Sequence, residues 1–422
     1  MTIRATTAGI LLAITGCQTP PPDAPPPNVV LIISDDQAWT DFGFMGHEVI
    51  RTPNLDQLAA QSAVFTRGYV PSSLCRPSLA TMITGLYPHQ HRITGNDPPR
   101  GVKRDRMLKH IAQVPTLPKL LGERGYRSLQ TGKWWEGNCR CGDFTDGMTH
   151  GDPARGGRHG DDGLKIGRET MQPIYDFVDD CGTQPFFLWY APFLPHTPHN
   201  PPERLLEHYK DLGISERVAR YYAMCEWFDE TCGQLLGHLE TRGLRENTIV
   251  LFAVDNGWIQ RPNRRGFAAR SKRSPYEGGV RTPIMVSWLG HVAPGHHEAL
   301  ASTIDLAPTI LRACGASGSD SLPGRDLIAE ATTDTESKRA IFGEIFSHDV
   351  ADIDRPSQSL RYRWSIGGRW KLIEPTDVQA TPELYDIVTD PHEEHDLASS
   401  QADRIKKMRQ QLDGWWRPDR TQ

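Results

Sequence analysis

Three short, evenly apolar runs constrain the fold more than any other feature: residues 29–33 (VVLII), 186–191 (FFLWYA) and 249–254 (IVLFAV). Each has the length of a strand, and none shows the alternation of apolar and polar residues that a half-exposed strand requires. They read as central strands of a parallel sheet covered on both faces. The segments between them carry helical periodicity. Thr52-Pro53 opens one helix with Leu55, Leu58 and Ala59 along one side, and residues 117–124 form another that closes at Gly125. The longest, over 215–242, lines up Val218, Tyr221, Tyr222, Cys225, Phe228, Cys232, Leu235 and Leu239 on one face and stops at Gly243. Strands alternating with helices predict an α/β fold, a mostly parallel sheet sandwiched by helices.

The texture changes near residue 328. Residues 363–373 (RWSIGGRWKLI) have the pattern of a hairpin, 383–387 that of a further strand, and 402–415 that of a terminal helix. The chain thus divides into a larger unit over 28–328 and a small antiparallel-sheet subdomain over 329–422. Ahead of both, residues 1–27 (MTIRATTAGILLAITGCQTPPPDAPPP) join a short apolar run to Cys17 and a proline-rich stretch. This segment resembles a bacterial lipoprotein signal, which implies export to the periplasm or outer membrane, a lipid anchor at Cys17 and an extended tether. No later run of about 20 apolar residues could span a bilayer. With 47 basic against 52 acidic residues and no basic stripe, nucleic acid is not an expected partner.

An exported chain is permitted disulfides. Cys225 and Cys232 stand seven apart on the long helix, about 10.5 Å along its axis, too far to bridge. They are expected as core thiols. Cys139 and Cys141 could reach Cys181 or another partner, but these three with Cys225, Cys232 and Cys314 make six candidates and fifteen pairings that the sequence does not decide. A Cys-x-Cys metal site would need a second ligand pair at zinc spacing, which the sequence lacks.

Chemistry gathers where the apolar runs end. The first leads into Ser34-Asp35-Asp36 and the third into Asp255-Asn256-Gly257. Ligands of open α/β sheets bind at the carboxyl ends of strands. Either motif alone is an ordinary turn, but three carboxylates and an amide at one sheet edge repel unless a cation lies between them. An all-oxygen set suits Ca²⁺, with Mg²⁺ as the alternative. The remaining run leads to Pro195-His196-Thr197-Pro198, a proline-flanked loop that presents a candidate general acid. Lys133 follows a strand expected over 127–130, and Lys272 precedes Tyr276-Glu277-Gly278-Gly279.

These pieces in this order resemble the type I sulfatase family of the alkaline-phosphatase-like superfamily. The resemblance rests on 28–46 (NVVLIISDDQAWTDFGFMG), 52–58 (TPNLDQL), Cys75 with Pro77 through Gly85, Gly132-Lys133-Trp134, 195–198, 255–257, 276–281 (YEGGVR) and 383–397 (ELYDIVTDPHEEHDL). It implies an alkaline-phosphatase-like α/β fold and hydrolysis of a sulfate ester on a small molecule or glycan. It also implies Ca²⁺ held by Asp35, Asp36, Asp255 and Asn256. By the same resemblance Lys133 and Lys272 neutralise the sulfate and His196 protonates the departing oxygen. Cys75 would be oxidised by a maturation enzyme to formylglycine, the nucleophile, at the N-terminus of a helix expected to begin near Pro77. The last motif accounts for His392 and His395 without a metal site.

Two family positions differ. The arginine of Cys-x-Pro-x-Arg is Leu79, and the histidine two after the lysine is Trp135. Arg76 points elsewhere on a helical start, leaving Arg92, Glu136 and His150 as candidates to compensate. A phosphate or phosphonate ester hydrolase of the same superfamily and a sulfated-glycan binding protein with a lapsed site share the pattern.

Overall fold

The computed structural model describes residues 25–332 and 339–418; Cys17 and the lipoprotein-like segment up to residue 24 lie outside them. The three apolar runs are adjacent strands. β1 (Asn28–Ser34) pairs in parallel with both β5 (Phe186–Ala191) and β6 (Thr248–Val254). Beyond β5 the sheet continues in parallel through β3 (Arg127–Gly132) to β4 (Asp146–Gly147). Beyond β6 come β7 (Arg281–Ser287), which runs antiparallel, then β2 (Ala63–Tyr69), with β8 (Gly295–His297) and β9 (Ala301–Ser302) along its outer edge.

Alternate residues of β1 serve two different cores. Val29, Leu31 and Ile33 pack with Leu79, Ile83 and Trp189 on one face; Val30 and Ile32 pack with Phe228, Leu235 and Phe252 on the other. This division is why the run carries no polar positions, each such side chain contributing about 1.5–3 kcal/mol by burial. The long helix, Glu216–Thr241, is capped by the Ser215 hydroxyl and covers the second face, burying Tyr221, Cys225, Phe228, Cys232, Leu235 and Leu239. Val218 and Tyr222 are only partly covered.

A second, four-stranded antiparallel sheet follows: β10 (Ala340–Phe346), β11 (Leu360–Gly367), β12 (Trp370–Pro375) and β13 (Glu383–Asp386). The expected hairpin is β11–β12, and the helix Ala402–Trp415 lies over the sheet through Ile405 and Met408. Ile341, Trp364 and Tyr385 of this sheet join the core of the larger one. A buried ionic cluster adds to the junction. Lys371 Nζ lies 2.9 Å from both Glu277 and Glu393, Glu393 accepts the Glu277 N–H at 2.6 Å, and Tyr69 donates to Glu277 at 2.9 Å. The motifs at 276–281 and 383–397 therefore meet at the seam. Cys75, Cys139, Cys141, Cys181, Cys225, Cys232 and Cys314 are all free thiols, Cys225 and Cys232 deep in the core. No helix among the described residues is long and apolar enough to cross a membrane.

Candidate active site

Strand register builds the site. Ser34 of β1 lies opposite Val254 of β6, so Asp35 and Asp255 leave the sheet side by side. The Asp255 N–H donates to Ser34 O at 2.9 Å, and the Asp36 N–H to Asp255 Oδ1 at 2.9 Å. Asp36 takes φ 64°, the left-handed region that Asp tolerates better than most residues. β3 ends at Gly132, φ 75°. A Cβ there would meet the Ala191 carbonyl oxygen at 1.8 Å, so only glycine makes this turn into Lys133.

Facing these strand ends is the helix Cys75–Thr84, closed by Gly85 in the left-handed conformation. It begins two residues before the expected Pro77. Proline fits the first turn because the N–H it lacks has no partner within the helix there. Cys75 is thus the first helical residue, its thiol buried at the positive end of the helix dipole. Lys133 and Lys272, surface charges if read singly, are both buried. Their ammonium groups reach Cys75 Sγ at 3.2 and 3.1 Å. Lys133 also bonds Asp35 Oδ1 at 2.5 Å and lies 3.7 Å from Asp255 Oδ2; Lys272 bonds both Asp36 oxygens, at 2.5 and 2.7 Å. The Asn256 amide donates to Asp36 Oδ1 at 2.7 Å.

His196 completes the group. Its Nδ1 lies 2.6 Å from the Thr197 carbonyl oxygen, which can only accept, so Nδ1 carries a hydrogen and Nε2 faces Asp36 Oδ2 at 3.4 Å. The prolyl bonds on both sides, Leu194–Pro195 and Thr197–Pro198, are cis. Arg168, which sequence reasoning did not reach, holds this loop by donating to the carbonyls of Phe193 at 2.6 Å and His196 at 2.8 Å.

The donor set fits a hard divalent cation. Asp35 Oδ2, Asp255 Oδ2 and Asn256 Oδ1 are buried without a hydrogen-bond partner, which folded proteins rarely tolerate. Ligand atoms of Asp35, Asp36, Asp255 and Cys75 all lie within 4.8 Å of one another. Burial and the neighbouring carboxylates push Asp35 well above the usual carboxylate range, and burial likewise raises Asp255. Burial also works against an ionised Asp36, but Lys272, with His196 and Lys133, holds it well below that range. Burial pushes the Cys75 thiol up to about 12 despite both lysines. Burial and then Lys133 push His196 well down.

Leu79 is buried in the apolar core beneath the helix. Trp135 is buried too, its indole N–H without a partner, and three cations surround its ring: Arg158 at 4.9 Å, Arg104 at 5.2 Å and Lys133 at 5.9 Å from the centroid. None of the expected compensating residues supplies the lost groups. Glu136 binds Arg76, Arg92 is exposed beyond the short helix Pro88–His91, and His150 is exposed beside Asp162. The structure brings Arg158 and His159 instead. His159 packs edge-on against Trp135, ring centroids 5.2 Å apart, and against Phe193 at 5.3 Å, with Nδ1 buried and unpartnered. Arg158 bonds Asp97 at 2.8 Å and stands within electrostatic reach of Cys75. Their only sequence signal was a basic pair set between Gly157 and Gly160.

This scaffold and its edge define the class, an α/β protein with a buried thiol, two lysines and a candidate cation site where its parallel strands end. The chain belongs to the sulfatase family, whose members are sulfuric ester hydrolases: residues 27–316 match the family model for sulfatase, and residues 267–416 match the N-sulphoglucosamine sulphohydrolase C-terminal model. Human arylsulfatase A is 33% identical over 338 residues, 68% of this chain and 64% of that protein's length. Dog (Canis lupus familiaris) N-acetylgalactosamine-6-sulfatase is 28% identical over 432 residues, 91% of this chain and 80% of its own. The crystal structure of Ps i-CgsB superposes with a TM-score of 0.76 at 24% identity, covering 93% of each chain.

Proposed function

We propose that the protein hydrolyses a sulfate ester on a carbohydrate at the edge where β1, β3, β5 and β6 end. The observation that carries this reading is the convergence of Lys133 and Lys272 on Cys75 beside three orphaned acidic and amide oxygens. Three carboxylates against two ammonium groups leave the side chains of the site one positive charge short. A divalent cation on Asp35, Asp36, Asp255 and Asn256 reverses that balance in favour of a singly charged sulfate ester, and Ca²⁺ suits the oxygen donors. The sugar in the reading is supported by the relative named for N-acetylgalactosamine 6-sulfate.

A thiol pushed up to about 12 stays protonated at neutral pH, so unmodified Cys75 is a poor nucleophile. Oxidised to formylglycine by a maturation enzyme, position 75 supplies a hydrated aldehyde whose hydroxyl can attack sulfur, while a bound cation supplies charge to the sulfate oxygens. The chain's own residues do the remaining work. Lys133 and Lys272 offer their N–H groups to the charge that spreads over sulfate oxygens in the transition state, an electrostatic contribution of the kind that dominates such reactions. His196, fixed by its Nδ1–H bond, presents Nε2 for proton delivery to the leaving oxygen. Asp36 and the charge of a bound sulfate both favour the imidazolium that this requires. Export and tethering through Cys17 belong to the same proposal and rest on residues 1–27 alone.

Mass spectrometry of the Cys75 peptide from the native host, together with sulfate release by wild type and Cys75→Ala, tests the reading. An aldehyde at position 75 and loss of turnover in the variant are expected. An unmodified thiol with phosphate but no sulfate released would replace it with the phosphohydrolase.

A further inference from the structure

A cleft of about 600 Å³ opens beside the reaction centre, within the ~300–1,000 Å³ typical of small-ligand sites. Both of its walls grow out of residues already described. Thr197 and His199 continue the His196 loop, and Trp258 lies two residues beyond Asn256. Trp258 is a shared partition: Lys272 Nζ lies 5.8 Å from its ring centroid, while His199 meets the ring edge-on at 6.1 Å and the indole N–H is held by Gln260 at 3.2 Å.

The remaining lining is cationic. Arg217 and Arg220 project from the first two turns of the helix Glu216–Thr241, and Arg265 comes from the loop after Trp258. Among the described residues no carboxylate lines the cleft. Glu216, outside it, bonds Arg220 at 2.8 Å; among the described residues Arg217 and Arg265 have no ion-pair partner. In a chain with net charge −5, three guanidinium groups converging without acidic lining are a local inversion of the overall balance. Guanidinium forks match the planar carboxylate and the oxygens of sulfate better than any neutral hydroxyl.

We propose that this cleft is a second anion subsite, which holds a further acidic group of the glycan whose ester is cleaved. The substrate is then a saccharide bearing at least two negative groups, the scissile sulfate and either a second sulfate or a uronate carboxylate. The inference rests on the sulfatase reading, since the cleft abuts that reaction centre through His196, Trp258 and Lys272.

The test uses the double variant Arg217→Ala/Arg265→Ala, both exposed and outside the reaction centre. Four probes are compared: a disulfated disaccharide, a monosulfated disaccharide with a uronate, a monosulfated neutral disaccharide and 4-nitrophenyl sulfate. The variant is expected to raise KM about tenfold or more for one or both doubly charged sugars, with kcat unchanged and the other two probes unaffected. Whichever charged sugar suffers more identifies the acidic group. Equal KM for wild type and variant on both charged sugars overturns the subsite. If wild type releases sulfate from none of the four, the functional reading falls. Calorimetric binding of the same sugars to Cys75→Ala, with and without the two arginines, then decides the subsite: tenfold weaker binding upholds it and unchanged binding overturns it.

Discussion

Arg76 and Glu136 form a two-pronged ion pair, Nε to Oε1 at 2.6 Å and Nη2 to Oε2 at 2.7 Å, with 2% and 3% of the side chains exposed. Arg76 also bonds the carbonyls of Gly95 at 3.2 Å and Met107 at 2.9 Å. The pair ties the start of the Cys75 helix to the loop that carries Lys133. Removing one partner leaves a buried, uncompensated charge, at a cost of about 3–5 kcal/mol. Arg76→Met and Glu136→Gln are each expected to lower unfolding free energy by that order in urea titrations. A change below about 1 kcal/mol in both would show the pair to be dispensable.

Lys133, just past the end of β3, and Lys272, in the turn before the short helix Glu277–Val280, reach the same sulfur. Lys133→Met and Lys272→Met should each reduce kcat for sulfate release by about 100-fold or more, the size of losing one donor to a developing oxyanion. Steady-state assays with each variant check this. Turnover within threefold of wild type would remove that lysine from the mechanism.

Elemental analysis of the native protein should find one divalent ion per chain, calcium by donor type. Chelation is expected to abolish turnover and lower the melting temperature, because Lys133 and Lys272 then offset only two of the three carboxylate charges of Asp35, Asp36 and Asp255; added Ca²⁺ should restore both. Asp255→Ala should bind the ion more weakly. Native protein that is metal-free yet active would contradict the assignment of these oxygens.

His159 stands beside Trp135 with a ring nitrogen that has no partner, and burial, then Lys133, hold it down at about 4, so it is neutral at physiological pH. We expect it to contribute a polar contact where the family histidine is absent. His159→Phe should keep the packing but lower kcat/KM about tenfold, equivalent to about 1.4 kcal/mol. His159→Gln should recover part of the loss. Equal activity in both variants would make the residue a packing element only.

Asp229 ties the long helix to the helix Pro53–Ala60, accepting from Leu55 N at 2.8 Å and Asn54 Nδ2 at 2.7 Å. Burial pushes its carboxyl up to about 6 against the pull of those donors. The native state therefore holds this proton more tightly than the unfolded chain, where an aspartic acid titrates near ~3.9. Its stabilising contribution is complete below about 4 and is lost as pH rises through about 6. Asp229→Asn should flatten the fall of unfolding free energy across that window by about 2–3 kcal/mol relative to wild type. Parallel curves for the two proteins would rule this out.

The legible parts of the fold were those whose burial is uniform. β1, β5 and β6 announce themselves because both faces are covered, and their ends deliver Asp35, Asp36, Asp255 and Asn256 with no intervening loop. β2 and β7 were not legible, since Thr66-Arg67-Gly68 interrupts one and Pro283 sits inside the other, and the reversal of β7 is set by pairing that no local pattern encodes. Lys133 and Lys272 gave no sign of burial on their own; family resemblance supplied them. Arg158 and His159 arrive from a glycine-rich loop, placed by tertiary contact with Trp135 and Phe193.

The cluster of Glu277, Lys371 and Glu393 has a consequence for genetics. Lys371 belongs to β12 of the small sheet, while Glu277 stands five residues after Lys272. A stop codon anywhere before position 371 removes both Lys371 and Glu393 and leaves Glu277, buried in the intact fold, without the cation it pairs with across the seam. Nonsense alleles late in the reading frame should therefore score as active-site nulls, and the first 328 residues expressed alone should not complement a deletion.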